Sequence, residues 1–168
     1  MAESTSVKFL GILRVLLRHD VDFFVVGGVA AQLEGAPILT LDLDVLYDKT
    51  PDNIERLLGA LGELKARYRD PAGRHIEPDR AKLETFRINL LLTELGALDV
   101  LGAIGSGSTY QDLLARTISY ELGEARVRVL ELAAVIESKE QANRDKDRAA
   151  MPVLRQALAM KNRLKGDA

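Results

Sequence analysis

Apolar residues recur along this chain with two different periods. Between Ser6 and Arg18, residues Val7, Leu10, Leu13, Val15, Leu16 and Leu17 keep largely helical spacing while Lys8, Arg14 and Arg18 fall elsewhere on the wheel, which predicts an amphipathic helix. The aromatic and β-branched run Phe23-Phe24-Val25-Val26 predicts a buried strand that stops at Gly27-Gly28. A short helix from Val29 to Glu34 is expected next. Gly35-Ala36-Pro37 ends it, because glycine suits a left-handed cap and proline cannot continue the ladder. From Thr40 to Tyr47 the period falls to two: Leu41, Leu43 and Val45 alternate with Asp42 and Asp44, so a strand would put both carboxylates on one face.

Pro51 suits the first turn of a further helix, whose stripe is Ile54, Leu57, Leu58 and Leu61 and whose end falls between Gly62 and Ala66. Residues Lys65 to Lys82 turn polar and predict a mobile loop. Thr85 to Leu92 and Ala97 to Leu101 read as a hairpin through Glu94-Leu95-Gly96, with Asp99 in the middle of its second strand. A short helix capped by Ser108 or Thr109 is expected to run to about Ala115. Strands at Ile118 to Leu122 and Ala125 to Leu130 flank Gly123, and helices follow at Leu132 to Ala142 and Asp147 to Leu164, hinged at residues 143–146. Without a repeat or low-complexity tract, the expectation is one domain over residues 1–168, with residues 131–168 as a helical C-terminal extension packed on it.

Composition narrows the chemistry. A chain of 168 residues can bury a substantial core, and with no cysteine it has no disulfide frame, thiolate zinc site or cysteine nucleophile. Twenty-three basic and 25 acidic residues give a net charge of -2, which argues against wrapping duplex nucleic acid while leaving room for a local basic patch. No apolar run approaches the roughly 20 residues of a membrane span. Met1-Ala2-Glu3-Ser4-Thr5 is not a secretory signal, so a cytoplasmic protein with no membrane partner is expected. His19 and His75 are isolated and read as surface residues. Ser106, in Gly105-Ser106-Gly107-Ser108, has no histidine and aspartate assignable to a triad, and reads as part of a flexible turn.

Aspartate is a poor strand former, and two like charges on one face repel, so Asp42 and Asp44 work against both propensity and electrostatics, as metal and acid-base sites commonly do. Gly27-Gly28 alone would suit a tight strand-to-helix turn; ahead of the aspartates it also suits a phosphate cradle, since glycine lets an anion approach unpaired backbone N–H groups.

The order strand, Gly-Gly turn, helix, Asp-x-Asp strand and later aspartate resembles the nucleotidyltransferase superfamily that includes DNA polymerase beta. The small bacterial members, minimal, toxin-antitoxin and antibiotic-modifying nucleotidyltransferases, are the nearest in pattern. Val26-Gly27-Gly28-Val29-Ala30-Ala31 through Gly35 to Thr40-Leu41-Asp42-Leu43-Asp44 is similar to their signature, and Leu98-Asp99-Val100-Leu101 to their third carboxylate. Lys139 and the stretch Arg144-Asp145-Lys146-Asp147 are similar to a basic stretch on a late helix. The resemblance implies an α+β nucleotidyltransferase fold, a small mixed or antiparallel sheet flanked by helices with further helices at the C-terminus.

The same resemblance implies that Asp42, Asp44 and Asp99 ligate two Mg2+ ions, with Mn2+ as a substitute, and that Asp99 is the candidate base. Gly27, Gly28, Thr40, Lys139, Arg144 and Lys146 are then the candidate nucleotide and phosphate contacts, with Arg87 behind them. The implied reaction moves a nucleoside monophosphate from an NTP to a hydroxyl of a protein, a tRNA end or a small molecule, with a cognate toxin or antitoxin as partner. Many related sequences carry an arginine where this chain has Ile38, so another cation must substitute or binding is weakened. The alternative is a catalytically inactive binding module or antitoxin with the same fold. As a plain helix face, the basic stretch would pair Glu140 with Arg144 and use Asp145 as a cap.

Overall fold

The computed structural model describes residues 5–166; the N-terminal residues Met1 to Ser4, part of the segment weighed as a signal, lie outside them. The elements in chain order are α1 (Thr5–Arg18), β1 (Phe23–Val26), α2 (Gly27–Leu33), β2 (Leu43–Tyr47), α3 (Pro51–Glu63), β3 (Arg67–Tyr68), α4 (Arg80–Thr85), β4 (Ile88–Thr93) and β5 (Gly96–Leu101). Then come α5 (Tyr110–Leu113), a 3-10 turn (Leu114–Arg116), β6 (Thr117–Leu122), β7 (Ala125–Leu130), α6 (Leu132–Ala142) and α7 (Asp145–Gly166).

All seven strands join one mixed sheet in the order β3-β4-β5-β2-β1-β7-β6. β2 runs parallel to β5 and antiparallel to β1, and β1 runs parallel to β7. Because register partners share a face, Asn89, Val100, Val45 and Val25 form one row across the sheet, and all four are buried. Leu91, Leu98 and Leu43 lie on that same face. α1 contributes Ile12, Leu13 and Leu16 to this core, and α3 contributes Ile54, Leu57 and Leu61. The opposite face carries the next row: Leu90, Asp99, Asp44 and Val26. The α+β class, the mixed sheet and the C-terminal helices are thus as the sequence implied. Among the described residues no helix is long and apolar enough to cross a membrane.

Four local expectations are corrected. α2 begins at Gly27, two residues early. β2 begins at Leu43, so Thr40 to Asp42 stand outside the strand, and Leu41 is 72% exposed instead of facing inward. The reason is the loss of a pairing partner: β1 gives way to α2 after the Val26↔Asp44 pair, and the Thr40 hydroxyl donates to the Asp42 carbonyl at 3.1 Å. The polar stretch expected as a mobile loop contains the edge strand β3, where the Tyr68 N–H donates to the Ile76 carbonyl and the Arg69 N–H to that of Leu90. It also contains the start of α4, whose N-terminus is capped when the Asp79 carboxylate accepts from the Lys82 N–H at 2.8 Å and which runs on to Thr85, so the following strand starts at Ile88 instead of Thr85. α7 starts at Asp145, and the hinge shortens to Asn143, in the left-handed region with φ 49°, and Arg144.

Candidate active site

Asp44 and Asp99 are register partners on the parallel β2–β5 pair, one strand spacing apart on the same face. Gly27 is what lets Asp44 sit there. Its φ is +64°, and a Cβ at this position would lie 2.2 Å from Asp44 Oδ2. Gly28 makes room for Thr40 in the same way, a Cβ there meeting Thr40 Cβ and Oγ1 at 2.9 Å. The glycine pair therefore seats a carboxylate and the loop before it, and Thr40 fixes the backbone of Asp42.

Burial raises the Asp44 carboxyl to about 8, with the neighbouring Asp99 and Asp42 adding to the shift and Lys139 opposing it. Burial also raises Asp99, against the pull of Arg69. Among the described residues, Asp44 Oδ1 is buried without a hydrogen-bond partner. One cation reaches two of the three carboxylates: Arg69 Nη1 lies 3.5 Å from Asp42 Oδ1, and Nη2 is paired with Asp99 Oδ1.

In front of these groups lies a cleft of about 330 Å3 between the carboxylate face of the sheet and the junction of α6 and α7. Gly27, Asp44 and Asp99 line its floor, Arg87, Lys139, Arg144 and Lys146 supply positive charge, and Ile88, Leu90, Leu101 and Ile104 give an apolar wall. Lys139 and Arg144 are set by Asp147, a carboxylate 1% exposed that accepts from the Arg144 N–H at 3.1 Å and Nε at 2.8 Å and lies 3.6 Å from Lys139 Nζ. These bonds hold the Asp147 carboxyl below its usual range despite burial. So Arg144 pairs with Asp147, while Glu140 pairs with Arg155 and Asp145 with Arg148.

Of the residues singled out in the sequence, Gly27, Asp44, Asp99, Arg87, Lys139, Arg144 and Lys146 meet at this cleft; Gly28, Thr40 and Asp42 stand outside its lining, with Asp42 linked to it through Arg69. Ile38 packs against the core. His19 and His75 pair with Glu63 and Glu77, and Ser106 donates its N–H and hydroxyl to Gln141 Oε1. Sequence reasoning missed Arg69 and Asp147. Arg69 read as one charge of the polar stretch from Lys65 to Lys82, and Asp147 was hidden in a run of alternating charge.

The donor set suits a divalent cation such as Mg2+: only carboxylate oxygens, an unpartnered buried Oδ1, and more negative charge than Arg69 neutralises. Among the described residues, no three Asp, Glu or His side chains are already gathered closely enough to enclose a metal ion. The residues fit the ion in kind, with Arg69 standing among them.

No family model matches the sequence, and neither does any curated protein. Solved structures do. A candidate nucleotidyltransferase from Thermotoga maritima, known from a crystal structure, aligns over 99% of this chain and 96% of its own with a TM-score of 0.58 at 17% identity. The antibiotic-resistance factor ANT(2'')-Ia, known from a solution structure, aligns over 95% and 92% with a TM-score of 0.56 at 13% identity. With the strand order, the Gly-Gly turn and the paired aspartates in place, these alignments identify the architecture of this chain as the nucleotidyltransferase fold.

Proposed function

We propose that this protein is a metal-dependent nucleotidyltransferase, moving a nucleoside monophosphate from an NTP to an acceptor hydroxyl with release of pyrophosphate. The observation that carries this reading is the Asp44–Asp99 pair on the floor of a cleft with one cationic and one apolar wall. A nucleotide uses all three. Ile88, Leu101 and Ile104 offer apolar surface to base and sugar, while Arg87 and Lys146, which make no ion pair among the described residues, attract phosphate oxygens. Asp42, Asp44 and Asp99 would hold Mg2+, two ions with Mn2+ as substitute, and when bound the metal supplies charge neutralisation at the phosphates and acidifies the attacking hydroxyl.

The acceptor oxygen bonds to the α-phosphorus as the bond from that phosphorus to the oxygen bridging the β-phosphate breaks. Asp99 accepts the hydroxyl proton. Pyrophosphate departs with the bonding electron pair, and Lys139, Arg144 and Lys146 offset its charge. Gly27 and Gly28 keep Asp44 and Thr40 in place for this. The acceptor classes under this reading are a protein side chain, a tRNA 3' end or a small molecule, and the macromolecular partner is a cognate toxin or antitoxin.

The Arg69 bridge supports a second reading, a nucleotide-binding or partner-binding module that keeps the fold without turnover. Calorimetry separates them. The enzyme reading expects NTP binding that depends on Mg2+ and is lost in Asp42→Asn with Asp44→Asn; NTP binding indifferent to Mg2+ and to that double variant favours the module.

A further inference from the structure

Arg69 reaches the carboxylates because of its place in the sheet. Its N–H donates to the Leu90 carbonyl at 3.0 Å, and Leu90 is the register partner of Asp99, so Arg69 stands at the end of the row Leu90, Asp99, Asp44. Two strand spacings are about 10 Å, a gap that an extended arginine and an aspartate close between them. The base of the arm is fixed: the Tyr68 hydroxyl donates to the buried Asn89 Oδ1 at 2.5 Å, and Asn89 Nδ2 to the Val100 carbonyl at 3.1 Å. Only the guanidinium end is free to choose partners, and it lies across Asp42 and Asp99.

We propose that Arg69 is a positioning residue of this centre, the counter-ion that holds Asp42 and Asp99 toward one another before a divalent cation arrives and that the cation must displace in order to bind. The inference rests on the metal-dependent reading of the site. Its grounds are geometric. Arg69 occupies Oδ1 of Asp42 and Oδ1 of Asp99, on two of the three carboxylates that a metal would use, while Asp44 Oδ1 has no partner among the described residues. A guanidinium keeps its charge at any working pH, so it leaves the site only by moving. There is room to move: Arg69 also lines a neighbouring groove of about 450 Å3 with Arg67, Tyr68, Arg74 and Leu92. A centre with a resident cation needs no metal to hold its acids together, and it admits metal at a cost.

The test is Mn2+ binding alone, without nucleotide, followed by calorimetry and by the paramagnetic signal of free Mn2+, for the full chain and for Arg69→Ala, Arg69→Gln and Arg69→Lys. Removal of a competing cation should tighten Mn2+ binding about tenfold in Arg69→Ala and Arg69→Gln, with Arg69→Lys between them and the parent. With a chelator the first two variants should melt lower than the parent, and Mn2+ should raise their melting temperature more than it raises the parent's. Folded Arg69 variants that bind Mn2+ equally or more weakly overturn the proposal and leave the metal site standing. If neither parent nor variants bind Mn2+ at millimolar concentration, the metal-dependent reading falls, and this inference with it.

Discussion

Asp44 and Asp99 stand side by side as register partners on parallel strands, and burial raises both carboxyls from their ordinary range. Aspartates placed so uncomfortably give the fold a site that works against its own stability. That conflict is measurable.

The first expectation concerns pH without metal. Asp44 rises from 3.8 to about 8 on folding, so between those values the unfolded chain has released a proton that the folded chain keeps. Stability contributed by this residue therefore falls as pH rises through that window. Asp44→Asn removes the effect, and in chelator it should melt roughly 5–10 °C above the parent at pH 8, with the gap closing toward pH 4. Thermal unfolding across pH 4–8 checks this; a variant that melts lower at pH 8 would contradict it.

Glycine substitutions should separate the site from the scaffold. Gly27→Ala forces a Cβ to within 2.2 Å of Asp44 Oδ2 at φ +64°, and should cost about 1–3 kcal/mol while displacing the carboxylate. Gly62, in α3, meets nothing within 4 Å and needs no positive φ, so Gly62→Ala should stabilise by about 0.5–1 kcal/mol and leave nucleotide binding unchanged. Denaturant titration and NTP calorimetry read both.

Much of this arrangement was legible in the sequence, and for a physical reason. Gly27, Asp44 and Asp99 resist their local propensities, so they stand out against a regular apolar pattern. The long amphipathic helices and the β4–β5 and β6–β7 hairpins were legible for the opposite reason, since period and turn residues agree. What escaped was built from long-range contacts. β3 is two residues long and exists only by pairing with β4, so no periodicity announces it, and Arg69 read as one more charge of a polar loop. Asp42 looked like a strand residue because the alternation continues one step beyond the partner strand. Asp147 looked like one charge among many until packing buried it beneath Arg144 and Lys139.

The cationic wall should divide into two kinds of residue. Lys146→Ala and Arg87→Ala remove charges with no ion-pair partner among the described residues, and each should weaken NTP binding about tenfold with little change in melting temperature. Arg144→Ala takes the main hydrogen-bond donor from Asp147, a buried carboxylate, and should cost about 1–3 kcal/mol of stability as well. Calorimetry paired with thermal unfolding would show the split; equal loss of stability in all three would contradict it.

The central claim is transfer itself. Purified protein, NTPs labelled on the α-phosphate, Mg2+ and a cell extract offering protein, RNA and small-molecule acceptors should yield a labelled product with release of pyrophosphate. The label should disappear with chelator and fall at least about 100-fold in Asp44→Asn and in Asp99→Asn. Transfer that persists in those variants, or no transfer with any NTP, would contradict the account.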